Sequence, residues 1–183
     1  MRDPKENLYG ILTQNSGVCL HLLHLHGRQS LFLIFVILGM AAYLFLPFWI
    51  KTDPSTGDQV VFTAWFLKEA SASGPGPAYH FFPYILGGIF AVITMVTSGF
   101  EIFRYKNRLT QIKLGMVNSI LMSLILFFSA WLAIHAQKNL LPGALGAFKP
   151  GLFAPVFSML FNALANRFIK KDEDLVRSAD RIR

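Results

Sequence analysis

LGMVNSILMSLILFFSAWLAIHA, residues Leu114 to Ala136, runs for twenty-three positions without a charged side chain. A hydrocarbon core about 30 Å thick needs roughly 20 mostly apolar residues at the helical rise, so the stretch predicts a membrane-crossing helix. Three more apolar blocks flank it. Leu31 to Phe48 carries no charge and ends at Pro47, with Trp49 at an interfacial depth. Phe81 to Phe103 holds one charge, Glu101, near its end, and Leu152 to Phe168 is the weakest, with Pro155, Asn162, Asn166 and Arg167 inside or beside it. None has the broad polar stripe that a helix on a soluble domain would need. A hydrophobic content of 54%, 14% aromatics and a mean hydropathy of +0.47 also exceed the usual soluble composition.

Lys and Arg divide unevenly around these blocks. Arg2, Lys5 and Arg28 precede the first, Arg104, Lys106, Arg108 and Lys113 separate the second from the third, and six follow Asn166. Lys51, Lys68, Lys138 and Lys149 alone fall in the other two loops. The positive-inside rule therefore puts both termini on the cytoplasmic side of a multi-pass protein. The net charge of +7 is accounted for by topology, and no folded basic domain presents it to nucleic acid. Residues 1–28 make a poor cleavable signal and read as a disordered or interfacial leader, followed by a transmembrane domain over 29–169 and a charged tail over 170–183.

The first outer loop carries WIKT, then DPSTGD, then QVVFTAWFL: two extended runs around a turn, which predict a short β-hairpin. SASGPGP, Ser71 to Pro77, reads as a flexible exit. The fold expected is thus an all-α membrane protein, a four-transmembrane-helix bundle with an extracytoplasmic β-hairpin and a cytoplasmic helical extension.

Polar residues inside the blocks are the candidate sites. Ser158, Asn162 and Asn166 recur every four residues, hence on one helical face, and Asn118 lies at a similar depth in the third block. Such groups join membrane helices by hydrogen bonds of about 1 kcal/mol each. Gly87 and Ala91 offer a small-xxx-small contact. Glu101 stands one turn before Arg104, a spacing that suits an interfacial ion pair, while an intramembrane carboxylate also raises a proton-carrying role. In the tail, KKDEDLVRSADRIR, helical spacing pairs Lys170 with Asp174, Glu173 with Arg177, and Arg177 with Asp180. Leu175, Val176, Ala179 and Ile182 then line one face, with Arg177, Asp180 and Arg181 beside them: a surface for a partner.

Little chemistry competes with that reading. CLHLLHLH, Cys19 to His26, has ligand types suited to zinc or copper, but its spacing fits no familiar finger. No catalytic triad, phosphate loop or metal quartet is legible, so neither an enzyme nor a cofactor or metal site is expected.

Three stretches carry a resemblance: GRQSLFLIF (27–35), FRYKNRLTQIKLGMVNSIL (103–121) and ANRFIKKDEDLVRSADRIR (165–183). Together they resemble a family of small four-helix bacterial inner-membrane proteins, domain of unknown function family 4293. The resemblance implies a bacterial inner-membrane location but supplies no activity. Its members begin near an Arg-Gln or Gln-Arg pair, here Arg28 and Gln29, which implies that translation starts downstream of Met1 or that the leader is disordered. The function expected is a non-enzymatic accessory or scaffold component, held in the lipid bilayer and binding another membrane protein or itself. The alternative is a small transporter or ion-coupled channel, whose midplane path would have only Thr94, Ser123 and Ser129.

Overall fold

The computed structural model describes residues 29–180 except 75, 105, 106 and 142. The Cys19 to His26 cluster and the tail residues Arg181 and Ile182 therefore lie outside the described residues, as do the side chains of Val176, Ala179 and Asp180. The order of elements is α1 (Gln29–Phe45), β1 (Trp49–Thr52), β2 (Gln59–Phe62), β3 (Leu67–Ala70), β4 (Ala78–His80), α2 (Ile85–Phe103), α3 (Arg108–Asn139), β5 (Gly146–Phe148) and α4 (Pro150–Asp180). The protein is mostly helical, with one small antiparallel sheet.

Each helix turns a seam inward at alternating steps of three and four residues. On α1 the seam is Leu33, Val36, Met40 and Tyr43; on α3 it is Gln111, Gly115, Asn118, Met122, Ile125 and Ser129. On α4 it is Ser158, Asn162, Ala165, Ile169 and Asp172. This periodicity keeps one face toward its neighbours in helices that cross at shallow angles. The opposite faces carry exposed large apolar side chains, among them Leu38, Val96, Ile120, Phe127 and Leu160. A water-facing surface would reject such a belt, whereas hydrocarbon accepts it. Three helices, α2, α3 and α4, are long and apolar enough to cross a membrane. α1 is apolar but shorter, and at about 1.5 Å per residue it falls a little short of the ~30 Å core. It packs on α4 by stacking Phe32 on Phe161 and Phe168, and Phe35 on Phe161.

The expected hairpin forms one part of a larger sheet. β1 and β2 pair antiparallel around the DPSTGD turn, where Asp53 accepts from the Ser55 amide at 2.8 Å and hydroxyl at 2.6 Å. Those two bonds hold the Asp53 carboxyl below the usual carboxylate range. QVVFTAWFL does not continue as one strand. Thr63 folds the chain back, its hydroxyl donating to the Phe66 carbonyl at 3.0 Å while its own amide donates to the same carbonyl at 3.1 Å. β3 and β4 follow, and β5 arrives from the loop between α3 and α4, giving the order β4-β3-β2-β1-β5. Pairing of β1 with β5 brings both loops to one end of the helices. The strand residues Trp49 and Phe62 pack with Tyr43, Phe48 and Tyr84, ring centroids 5.1 to 6.1 Å apart.

The sheet also satisfies helix ends, which leave backbone groups without intrahelical partners. The Gly88 amide of α2 donates to the Ala64 carbonyl at 2.8 Å, and the Gly151 amide of α4 donates to the Pro47 carbonyl at 3.2 Å. Lys51 of β1, 1% exposed, donates from Nζ to the last carbonyls of α3, Gln137 at 3.1 Å and Leu140 at 2.6 Å. A cation at a helix C-terminus also opposes the negative end of the macrodipole. Gly146 lets β5 close on β1, because a Cβ there would stand 2.1 Å from the Trp49 ring.

Lys51→Met keeps the aliphatic stem and strands two half-buried carbonyls, a loss of about 1 kcal/mol. We expect faster hydrogen exchange in β1 and β5 with little change in the middle of α3; uniform exchange across the chain would show that the cap does not depend on Lys51.

Candidate functional site

The polar residues of the helices converge on the half of the molecule away from the sheet. α3 supplies the axis. Its Asn118 donates from Nδ2 to Ser98 Oγ at 3.1 Å and to Glu101 Oε2 at 3.3 Å, while the Thr97 hydroxyl reaches Asn118 Oδ1. One side chain thus holds three residues of α2. Three residues earlier on α3 is Gly115, and one turn before it Gln111, whose Nε2 donates to the Glu101 main-chain carbonyl at 2.8 Å. Gln111 therefore caps the last turn of α2, where carbonyls lack helical partners.

The other side of the axis belongs to α4. Asn162 donates to the Gly115 carbonyl at 2.7 Å and to Ser119 Oγ at 2.8 Å. Asn166 packs directly over Gly115, where a Cβ would come within 2.0 Å of Asn166 Oδ1. Ser158 turns toward α1, with its hydroxyl 3.4 Å from the Val36 carbonyl and 3.0 Å from that of Ala154. The face predicted from Ser158, Asn162 and Asn166 is thus shared between α1 and α3.

Glu101 and Arg104 are not brought together. Glu101 is 0% exposed and points into the seam, whereas Arg104, at the C-cap of α2, is exposed. The geometric reason is the helical step: the buried line of α2 runs through Thr94, Ser98 and Glu101, and Arg104 follows where the helix has ended. Among the described residues the ion pair at this end is Arg108 with Asp172, at 3.0 Å, strengthened by a bond from Arg108 to the Asp172 carbonyl at 2.9 Å. Asp172 is the tail residue that the sequence left unassigned. It fixes the register of the extension, beyond which Leu175 and Arg177 stand exposed.

Gln111 and Asp172 were legible only in part. Gln111 precedes the apolar block and reads as loop, although its spacing to Gly115 and Asn118 places all three on one helical face. At the sheet end a recess of about 280 Å³ is lined by Glu69, His80, Tyr84, His135 and Asn139. Among the described residues no group of three His, Cys, Asp or Glu side chains stands close enough to hold a metal ion.

Residues 28–182 match the family model described as a domain of unknown function, DUF4293. No curated protein matches the chain.

Gly115→Ala must displace Asn166, and overpacking of this kind costs about 1–3 kcal/mol. Met116→Ala, one residue away on the exposed face, should change stability by no more than about 0.5 kcal/mol. Thermal unfolding in one detergent checks the contrast; equal effects would remove Gly115 from the packing account.

Proposed function

The chain belongs to the DUF4293 family, and we propose that it is a non-catalytic accessory or scaffold component of a bacterial inner membrane. In this reading α1 to α4 cross the bilayer four times, with both termini and the α2–α3 turn cytoplasmic and the sheet outside. Support for four crossings comes from the apolar belt and the charge bias. α1 can reach across with the apolar residues Leu46 to Phe48 that follow it. Support for the two faces comes from the β1–β5 pairing and the Arg108–Asp172 pair, which gather the loops at opposite ends.

The observation that carries the scaffold role is the rigid presentation of the tail. α4 runs unbroken for 31 residues, well past its apolar part, and Asp172 clamps it to α3. Leu175 is 42% exposed immediately after the clamp. Solvation alone does not call for an ordered helix with an exposed leucine and interleaved charges. A partner does, either another membrane protein or a second copy of this chain. A transporter is the second reading, favoured by the buried Glu101, but above Asn118 the α3 seam continues as fully buried Met122 and Ile125. That favours an enclosed site over a passage.

Removal of Leu175 to Arg183 should leave insertion intact and abolish co-purification of a stoichiometric partner or oligomer after mild detergent extraction. Native gels or light scattering read the result. An unchanged complex would remove the tail from the interface, and a monomer at full length in several detergents would overturn the proposal.

A further inference from the structure

Five buried side-chain atoms among the described residues have no hydrogen-bond partner: Glu101 Oε1, Gln111 Oε1, Asn162 Oδ1, Asn166 Oδ1 and Asp172 Oδ1. All are oxygens, and all belong to the polar seam of α2, α3 and α4. The seam is short of donors and has acceptors to spare. Buried polar groups are almost always satisfied, so a one-sided deficit asks what supplies the missing positive charge.

The deficit is sharpest at Glu101. Its side chain has one donor, Asn118 Nδ2 at 3.3 Å, and Oε1 has none. Gln111 spends its amide nitrogen on the Glu101 main-chain carbonyl, leaving its own buried Oε1 without a donor. The described charged groups on the packed elements do not neutralise the carboxylate. On α2, Arg104 is exposed; on α3, Lys113 is exposed and Arg108 is paired with Asp172; on α4, Arg167, Lys170 and Lys171 are exposed. A water molecule could donate to these oxygens but would leave a full negative charge buried without a counter-ion, which is strongly disfavoured.

We propose that Glu101, with Gln111, forms a binding site for a monovalent cation, a proton or a sodium ion, enclosed between α2 and α3. Either occupant serves the same need. A proton on Oε1 turns an unpaired acceptor into a donor and removes the charge, while sodium, a hard cation, takes carboxylate and amide oxygens as ligands. The site stands whether or not the tail docks a partner.

The experiment compares the full-length protein with Glu101→Gln in lipid nanodiscs, measuring Tm from pH 6 to 9 at low sodium, and again at pH 8 from 1 to 300 mM sodium with choline as the balancing ion. A bound proton predicts that the unaltered protein loses several degrees relative to the variant as pH rises, since the folded state must give up a proton that the unfolded state has already lost. Bound sodium predicts a rise in Tm with each tenfold increase in sodium, absent from the variant. Parallel curves for both proteins under both titrations would overturn the proposal. Should the variant fail to fold, infrared spectra of the unaltered protein decide. A protonated carboxyl band at pH 7, or a carboxylate band that shifts with sodium, supports the site. A carboxylate band insensitive to both refutes it.

Discussion

The approach of α4 to α3 at Gly115 is the contact on which the polar interior depends. With a hydrogen in place of a side chain, the α3 backbone is open to Asn162, which takes the Gly115 carbonyl, and to Asn166, which fills the space a Cβ would occupy. In hydrocarbon there is no hydrophobic drive between helices, so association relies on small residues and on polar groups that find partners across the interface. Closeness here also sets the height of everything else. Once α4 is seated, Ser158 falls against α1, and Asp172 reaches Arg108.

A second constraint acts at the ends. Helices in a bilayer satisfy their backbone internally except in the first and last turns, and this chain answers those turns with its own loops. Lys51, Ala64 and Pro47 serve the sheet-side ends of α3, α2 and α4, and Gln111 serves the opposite end of α2. The sheet is therefore more than a cover. It is a set of caps, drawn from two loops and held in one register by β1.

Much of this was readable in the residues, for physical reasons that also mark where reading stopped. The apolar blocks announce the long helices because lipid tolerates almost nothing else over that length, and DPSTGD announces a turn because Asp53 and Gly57 suit one. Block edges were less legible. The second helix starts at Ile85 and not at Phe81, and the third extends from Arg108 to Asn139, because charged and amide residues can continue a helix outside hydrocarbon. The sheet exceeded the hairpin since β5, three residues long, has no signal of its own and exists by pairing with β1. At the seam, Asn118, Ser158, Asn162 and Asn166 stood out as polar letters in apolar text. The inward turn of Glu101 did not, because the choice between Arg104 and Asn118 depends on where α2 ends. The roles of Gln111, Lys51 and Asp172 likewise depend on partners 10, 86 and 64 residues away in sequence.

A polar seam, capped helix ends and a clamped extension occur together in a chain that presents apolar surface on every helix. The proposed topology has all four helices crossing the membrane, with the sheet on one side and both termini on the other. The most direct measurement is labelling of intact cells by a membrane-impermeant maleimide. The native Cys19 is the protein's single cysteine, and Ser55→Cys and Ser178→Cys are placed in a Cys19→Ser background. The account predicts labelling of position 55 from outside, and of positions 19 and 178 only after the membrane is opened. Labelling of positions 19 and 55 from the same side would contradict it, because α1 would then not cross.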